Sequence, residues 1–293
     1  MLLCNPEFHI QEVLMQNYKE ALEKDGFFVL KNVLIQDEVA TFRKTLQELS
    51  GFNESEFVDQ HPLKTLFKKT PKKFRFTEAD GVTKNKALWP LLWNKKTLDV
   101  LNSIFSKPVH LLHHNDIHVG FSASGWHRDS VDRHYNEGPE WDESDESYEL
   151  VRVGYYLMSY DECKFALGVL PGTHKYESKL TIFERFFPSK LGKLGRLLVA
   201  LRYFLIGQNL FTHKAFWYKP EPGDCIVFNP KILHNGMYPR GPKYSMFVGY
   251  GVPGRHYDRM TDFYENRRKD LSYSSYSDEL RSELEKHNLV TKK

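Results

Sequence analysis

Apolar residues in the N-terminal part of the chain recur every three or four positions, which is the period of an amphipathic helix. The first apolar stripe ends at Asp25-Gly26 and comprises Ile10, Val13, Leu14, Tyr18, Ala21 and Leu22. A short strand is predicted over 27–30. A second predicted helix has a stripe that comprises Val39, Phe42, Leu46 and Leu49. The helical period returns over 98–105. The region 51–95 mixes basic and aromatic residues and shows no recognisable hydrophobic period.

The pattern changes at Val109, where short runs rich in β-branched and aromatic residues alternate with turn sequences. These predicted strands are 109–119, 149–158, 166–170, 224–229 and 243–250. Many short strands joined by Pro-Gly or Gly-Asp turns are typical of a sandwich or barrel rather than a doubly wound sheet. A last helical period covers 278–287. The sequence therefore predicts a mainly β protein with flanking helices, of the α+β class.

Composition and charge narrow the function class. The 293 residues are 41% hydrophobic with a net charge of +3, which suits a globular protein and gives no reason to expect a nucleic-acid partner. Three scattered cysteines, Cys4, Cys163 and Cys225, suit a reducing compartment. The first ten residues do not resemble a signal peptide, and the most apolar stretch, 197–206, is too short to cross a bilayer. We expect a cytoplasmic protein without stable membrane insertion, and the sequence carries no signal for an oligomeric state.

The strongest chemical signal is Trp126-His127-Arg128-Asp129, together with the distant His234. Residues two apart on a strand point to the same side, so His127 and Asp129 can reach one ion. A second imidazole from another strand completes a set that covers one face of an octahedral ion and leaves positions open. That donor set is typical of non-haem Fe(II) oxygenases. A His-x-Asp triplet alone is weak in a chain with 13 histidines.

Further motifs surround this triplet in a fixed order. They are Asp25-Gly26-Phe27-Phe28-Val29-Leu30-Lys31-Asn32-Val33, Gly168-Val169-Leu170-Pro171-Gly172-Thr173-His174-Lys175, Pro222-Gly223-Asp224 and His234-Asn235-Gly236. From about Ala21 to about Tyr250, the ordered set resembles the phytanoyl-CoA dioxygenase family of Fe(II)- and 2-oxoglutarate-dependent oxygenases.

The resemblance implies a double-stranded β-helix (a jelly-roll, cupin-like core) with an N-terminal helical cap. The chain is then one domain, 1–293. It has a cap region at 1–108, a core at 109–250 with an inserted helical segment at 178–212, and a helical tail at 251–293.

The resemblance also implies the catalytic site, with Fe(II) bound by His127, Asp129 and His234. Its co-substrates would be 2-oxoglutarate and dioxygen, and its products succinate and carbon dioxide. The expected reaction is hydroxylation or another oxidation of a C–H bond in a small or medium organic molecule. In related halogenases the position of this carboxylate is vacant so that chloride can bind iron. Asp129 fills that position here and therefore favours a reaction without halide.

The distal carboxylate of 2-oxoglutarate needs a cation, which the family usually supplies as Arg roughly ten residues past the second histidine. Here Lys243 lies nine residues past His234, with Ser245 on the same strand face, and Arg240 is the alternative cation. Lys provides a point charge in place of the planar guanidinium of Arg. In the family the strand before the WHRD motif contributes polar contacts to 2-oxoglutarate, so His118 and His114 are also candidates, with hydrogen-bonded structural roles as the alternative.

Two residues are candidates for the substrate pocket, Trp126 and Arg152, with core packing as the alternative for Trp126. The acidic stretch at 130–149 is either a lid or a solvated loop. The basic, amphipathic stretch at 190–206 either contacts a membrane or a lipid-like substrate, or packs against the barrel or a dimer partner. A cluster of cations either favours an anionic substrate or is simply solvated, and comprises Lys68, Lys69, Lys72, Lys73 and Arg75. The functional alternatives are a cupin-type metal enzyme that does not use 2-oxoglutarate and a non-catalytic ligand-binding barrel.

Overall fold

The fold is taken from a computed structural model, which describes residues 6–52, 54, 75–121, 124–177, 215–237, 239–268, 273 and 275–291, with side chains from residue 15 onward. The α-helices in these ranges are α1 (Pro6–Lys24), α2 (Gln36–Ser50), α3 (Gly81–Lys84), α4 (Lys95–Phe105), α5 (Tyr160–Cys163), α6 (Arg255–Asp262) and α7 (Asp278–Lys286). Short 3-10 helices cover Lys86–Trp93 and Pro139–Trp141, and a π-helical turn covers Phe263–Arg267. The strands are β1 (Phe27–Leu30), β2 (Arg75–Glu78), β3 (His110–Leu111), β4 (Asp116–Gly120), β5 (Leu150–Tyr156), β6 (Leu167–Val169), β7 (Phe216–Tyr218), β8 (Cys225–Phe228), β9 (His234–Gly236) and β10 (Tyr244–Gly251).

The described strands form two antiparallel sheets. The larger sheet has the order β1-β8-β5-β10-β4-β2, with β3 also paired to β10, and the smaller sheet has the order β7-β6-β9. Strand β10 lies between β5 and β4, so Phe247 is opposite Gly154 on one side and Asp116 on the other. The described part of the chain is thus a mixed α and β fold with a large antiparallel sheet.

The core forms where the N-terminal helices pack against the larger sheet. Strands β5 and β10 are buried along their whole length, which explains why their sequences are nearly continuous apolar runs rather than alternating ones. Helix α2 contributes Phe42 and Leu46 to the same buried cluster as Leu101 of α4 and Val153 of β5. The side chain of Asn94 caps α4 by accepting a hydrogen bond from the Thr97 backbone.

The Pro222-Gly223-Asp224 motif joins the N-terminal segment to the larger sheet. Gly223 has a φ of 88°, and a Cβ at this position would lie 2.5 Å from the Leu34 carbonyl oxygen, so only glycine fits. Asp224 accepts hydrogen bonds from the Lys31 ammonium at 2.5 Å and from the Asn32 backbone at 2.9 Å. The motif therefore fixes the start of β8, the strand that precedes the His234 loop.

Most predicted elements appear close to their predicted positions, and the differences have local causes. The predicted strand at 109–119 is divided into β3 and β4, because the Asn115 side chain bonds to the Leu112 carbonyl and the Gly249 backbone. The unassigned region before α4 contains β2, α3 and the 3-10 helix Lys86–Trp93. The predicted helical insertion at 178–212 and the basic stretch at 190–206 lie outside the described residues, as do the cations Lys68, Lys69, Lys72 and Lys73. None of the helices in the described ranges is both long and apolar enough to cross a bilayer.

Candidate active site

His127, Asp129 and His234 lie together at one end of the smaller sheet. One ligand atom from each of the three side chains lies within 4.8 Å of the others. The backbones of His127 and His234 exchange two hydrogen bonds of 3.0 Å, an isolated antiparallel bridge that holds the two distant segments in register. The Nε2 atoms of His127 and His234 each lie 3.5 Å from a different carboxylate oxygen of Asp129. Of all the described residues, this is the one group of three or more His, Cys, Asp or Glu side chains with such spacing.

Backbone carbonyls fix the orientation of both imidazoles. His127 Nδ1 lies 2.7 Å from the Gly125 carbonyl oxygen, and His234 Nδ1 lies 3.1 Å from the Ile232 carbonyl oxygen. A carbonyl can only accept, so each Nδ1 carries the proton and each Nε2 presents a lone pair beside Asp129. Burial and the neighbouring His127 lower the pKa of His234 to about 3, so its imidazole is neutral at pH 7. With Nδ1 protonated, Nε2 is the nitrogen that each imidazole presents to a metal.

Asp129 is ionised because Arg152 is its direct partner. Burial alone would raise the pKa of Asp129, but the Arg152 guanidinium outweighs it and holds the pKa well below its usual range. Arg152 Nη1 donates to Asp129 Oδ2, and the Arg152 side chain is only 7% exposed. The three residues therefore offer two imidazole nitrogens and one anionic carboxylate, a set that fits Fe(II).

The His/Asp/His group borders a cavity of about 130 Å³. Its polar wall includes His118 of β4 and Lys243, and its apolar wall includes Phe165, Leu167 and Phe247. Lys243 is 3% exposed, its Nζ lies 4.6 Å from the centre of the Phe165 ring, and burial lowers its pKa to about 7. Burial and the Lys243 charge together lower the pKa of His118 to about 3, so this imidazole is neutral at pH 7. A deep cation therefore shares one cavity with the three candidate metal ligands.

Four other residues singled out in the sequence lie outside the described cavity wall, namely Ser245, His114, Trp126 and Arg240. Ser245 is buried and its hydroxyl donates to the His118 carbonyl at 3.3 Å. His114 lies behind the site, where its ring stacks on Tyr264. Trp126 packs in a small apolar cluster with Leu170 and Leu233. The Arg240 backbone bonds to the Cys163 carbonyl at 2.7 Å.

Several residues of the site were not singled out in the sequence, or only weakly. Arg75, at the start of β2, lines the cavity, and so do Ser124 and Phe247. Asp116, which lies between His114 and His118 in the sequence, is the second carboxylate bound by Arg152. Alternation along β10 could have found Phe247, which lies two and four residues from Ser245 and Lys243 on the same strand face. No local pattern indicates Ser124.

The acidic stretch at 130–149 is tied to the rest of the protein at several points. Arg259 of α6 donates two hydrogen bonds to the Asp132 carboxylate, at 2.6 and 3.0 Å. Buried Lys231, in the loop before His234, forms an ion pair with Glu143. Within the segment, Trp141 donates to the Asp132 carbonyl at 3.1 Å. The segment is therefore packed onto the His234 loop and α6, and whether it acts as a lid stays a prediction.

Arg128 points away from the cavity and connects three segments of the site. It is 1% exposed, and its Nη1 donates to the Thr173 carbonyl at 2.6 Å and to the Lys231 carbonyl. Its guanidinium also lies 5.2 Å from the centre of the Trp141 ring. Arg128 thus joins the His127–Asp129 segment to the turn of the VLPGTHK motif and to the His234 loop.

We expect Arg128→Met to lower the free energy of unfolding by about 1–3 kcal/mol, because two buried carbonyls lose their donor. Iron affinity should also fall, since the two ligand segments lose a connection. Urea unfolding followed by circular dichroism measures the first effect, and anaerobic Fe(II) titration measures the second. Lys107→Met is the control, since the exposed Lys107–Glu149 pair contributes at most about 1 kcal/mol. Equal stability of the two variants would contradict this role.

Several solved structures have a fold similar to that of this chain. The non-haem α-ketoglutarate-dependent epimerase SnoN from nogalamycin biosynthesis aligns with a TM-score of 0.53 and 12% identity over 82% of this chain and 83% of its own. EctD from S. alaskensis, solved with 2-oxoglutarate and 5-hydroxyectoine, aligns with a TM-score of 0.51 and 15% identity over 80% and 75%. AviO1 from Streptomyces viridochromogenes Tue57 aligns with a TM-score of 0.52 and 14% identity over 82% and 96%. At these identities the likeness establishes the fold alone. No curated protein sequence is a significant match.

The sequence model of the phytanoyl-CoA dioxygenase family matches residues 22–242, about three quarters of the chain. With the His/Asp/His group, this match defines the class of protein, an Fe(II)- and 2-oxoglutarate-dependent oxygenase. Within that class, the chain belongs to the phytanoyl-CoA dioxygenase family. The match covers all three candidate metal ligands, so the resemblance drawn from the sequence motifs is confirmed at the level of family and chemistry.

Proposed function

We propose that this protein oxidises a C–H bond of a small or medium organic molecule, by hydroxylation or a related reaction, with Fe(II) held by His127, Asp129 and His234. The observation that supports the proposal most directly is the donor set itself. Two Nε2 lone pairs and an ionised carboxylate face one point at the wall of an open cavity. Three protein ligands on one side of an ion leave the other positions for co-substrates.

The architecture that we propose around the site is a double-stranded β-helix with an N-terminal helical cap. The two antiparallel sheets support it, because the smaller sheet supplies His234 to the cavity, the larger one supplies His118, and Lys243 comes directly before β10 of the larger sheet. We further propose a single domain over 1–293, with the cap at 1–108, the core at 109–250 and a helical tail at 251–293. The core and the tail share the buried cluster that contains Val153 and Leu284, which supports a single domain.

In this proposal Lys243 binds the distal carboxylate of 2-oxoglutarate. It is a buried cation in the wall of the cavity that holds the metal ligands, whereas Arg240 lies outside the described wall. Ser245 connects β10 to β4 through its bond to the His118 carbonyl. His118 lies in the cavity wall and is the better placed of the two histidine candidates, while His114 lies behind it.

When bound, iron and 2-oxoglutarate supply the oxidation, in which dioxygen is consumed and 2-oxoglutarate is converted to succinate and carbon dioxide. The chain's own residues hold and shield the reacting groups. Asp129 stays anionic beside Arg152 and leaves no vacancy for a halide ligand. Phe165, Leu167 and Phe247 provide an apolar wall that limits access of water.

The remaining parts of the proposal concern substrate and location. We propose a free small-molecule substrate, with Arg75 at the cavity wall available to an anionic group. Arg152 lines the same cavity but is engaged by Asp129 and Asp116, which limits it as a direct substrate contact. We also propose a cytoplasmic location, supported by the free, buried thiols of Cys163 and Cys225.

The proposed function is tested by succinate release from the purified protein with Fe(II), 2-oxoglutarate, dioxygen and a panel of candidate substrates. We expect slow succinate formation without substrate and faster formation with a suitable one, both lost in His127→Ala. Tight Fe(II) binding without any binding of 2-oxoglutarate would instead indicate a cupin-type metal enzyme. Absence of metal binding would indicate a non-catalytic barrel and would overturn the proposal.

The affinity for 2-oxoglutarate should fall as the pH rises above about 7. Burial lowers the pKa of Lys243 to about 7, so the ammonium loses its proton above that pH in the empty protein. A bound carboxylate favours the charged form, so binding above pH 7 takes up a proton and weakens by up to about tenfold per pH unit. Isothermal titration of the Fe(II)-loaded protein between pH 7 and 9, without dioxygen, measures this slope.

Two variants separate Lys243 from the other groups near the cavity. Arg stays charged throughout this range, so Lys243→Arg should remove the slope, while Arg240→Met should leave it unchanged. Two titratable neighbours of Lys243 keep their charge state between pH 7 and 9. Burial raises the pKa of Cys163 to about 11, and burial and the Lys243 charge lower that of His118 to about 3. A slope that persists in Lys243→Arg would mean that another group binds the carboxylate.

A further inference from the structure

A line of buried polar contacts leads from the candidate iron site to the C-terminal segment. Arg152 donates from Nη1 to Asp129 Oδ2 and from Nη2 to Asp116 Oδ2, the latter at 2.5 Å. The Tyr273 hydroxyl donates to the other oxygen of Asp116, Oδ1, at 2.7 Å. Arg152 and Asp116 are 6% and 8% exposed. Four buried side chains, from Asp129 to Tyr273, are thus linked in series.

A second tyrosine of the same segment, Tyr264, contacts this line of polar residues through His114. The Tyr264 hydroxyl lies 3.0 Å from His114 Nε2, and the same nitrogen lies 3.4 Å from Asp116 Oδ2. The rings of Tyr264 and Tyr273 are 4.7 Å apart at 63°, and Tyr264 stacks on His114. Tyr273 therefore contacts the Asp116 carboxylate directly, and Tyr264 is connected to it through His114.

Both tyrosines lie beyond residue 242, where the match to the family ends. The family match therefore includes Asp129, Arg152 and Asp116 but leaves out the residues that complete their hydrogen bonding. This arrangement is a property of this chain's own C-terminal segment.

We propose that Tyr273, acting through Asp116 and Arg152, is a positioning residue that keeps Asp129 available to the metal. The proposal rests on the proposed function, in which Asp129 is an iron ligand. In the described structure Tyr273 is not among the residues that line the cavity and its hydroxyl donates to Asp116, so its influence on Asp129 is transmitted by the two charged residues between them.

The physical reason lies in the geometry of the guanidinium group. Arg tends to bind one carboxylate through two parallel hydrogen bonds, which here would occupy both oxygens of Asp129. Asp116 prevents this, because it binds Nη2 and leaves only Nη1 for Asp129. Arg152 consequently contacts Oδ2 of Asp129, and Oδ1 stays free to face the metal position beside His127. The Tyr273 hydroxyl fixes the rotation of the Asp116 carboxylate, so that Oδ2 keeps facing Arg152.

The test measures metal affinity rather than turnover. We expect Asp116→Asn to weaken Fe(II) binding by about 10–100-fold and Tyr273→Phe by about tenfold, in line with other partners of metal ligands. Affinities come from anaerobic titration against a competing chelator. The visible absorption spectrum of the Co(II)-loaded protein gives a second readout, since it changes when the carboxylate changes how it binds. Tyr273→Phe keeps nearly the whole side chain, so it remains informative even where Asp116→Asn does not fold.

The matched control is Tyr276→Phe, which removes a hydroxyl from the same segment. Tyr276 stacks on His113 with centroids 4.1 Å apart, and its hydroxyl donates to the Leu111 carbonyl at 3.5 Å. Unchanged affinity and spectrum in Tyr276→Phe, with both altered in Tyr273→Phe, support the proposal. Equal losses in the two variants would mean a general loosening of the tail and would overturn it, as would an unchanged Tyr273→Phe. Failure of the wild-type protein to bind Fe(II) or Co(II) would instead refute the proposed function.

Discussion

His234→Ala should abolish stoichiometric Fe(II) binding and reduce succinate formation by more than about a hundredfold. Loss of an outer partner of a metal ligand already costs about 10–100-fold, and loss of a ligand must exceed that. His234 is 4% exposed and presents Nε2 to Asp129, while its Nδ1 is oriented by the Ile232 carbonyl. The alanine side chain offers no donor atom, and the backbone bridge to His127 remains.

Two measurements separate loss of the metal from loss of the fold. Fe(II) at a hundred times its dissociation constant should stabilise the wild-type protein by about 2.7 kcal/mol, and this gain should disappear in His234→Ala. His118→Ala is the matched control, because His118 lines the same cavity but lies outside the group of three ligands. It should keep its iron-dependent stabilisation. Iron-dependent stabilisation of His234→Ala equal to that of the wild type would contradict the assignment.

The helices and the central strands could be predicted from the sequence, because their apolar patterns are local. The stripe that ends at Asp25-Gly26 corresponds to α1, and the apolar run at 243–250 corresponds to β10. Strand β2 has only four residues with an alternating, half-exposed pattern, and its position is determined by its pairing with β4. Such an edge strand is determined by its partner, so its own residues gave too little signal.

The candidate metal ligands could be predicted because their chemistry leaves a pattern in the sequence. His127 and Asp129 are two residues apart, and His234 lies in a motif with a characteristic neighbourhood. The network behind them has no such pattern, since Asp116 lies on β4, Asp129 lies in the segment that follows β4, and Tyr273 lies more than 140 residues further along the chain. Side chains that meet only through tertiary packing cannot be paired from one sequence. Arg152 illustrates this, because its strand position indicated a pocket residue but not its two carboxylate partners.

Arg152→Met should have the largest effect on stability, lowering the free energy of unfolding of the metal-free protein by about 3–5 kcal/mol. The two carboxylates of Asp129 and Asp116 are both buried, and in the described structure Arg152 lies between them. Removing one partner of a buried ion pair leaves an uncompensated charge, which is far more costly than losing a surface pair. Methionine has a similar length and no charge, so the loss is mainly electrostatic rather than a packing defect.

Urea unfolding with and without Fe(II) measures the effect, and Arg43→Met is the control. Arg43 pairs with Glu54 and Glu162, whose side chains are 38% and 43% exposed, so its loss should cost at most about 1 kcal/mol. Fe(II) should restore part of the stability of Arg152→Met, because the ion places positive charge beside Asp129 where the guanidinium was. The same ion should have no such effect on Arg43→Met beyond that on the wild type. If Arg152→Met lost as little free energy of unfolding as Arg43→Met, the carboxylates of Asp129 and Asp116 would not depend on Arg152 for their charge balance. The positioning of Asp129 would then need another explanation.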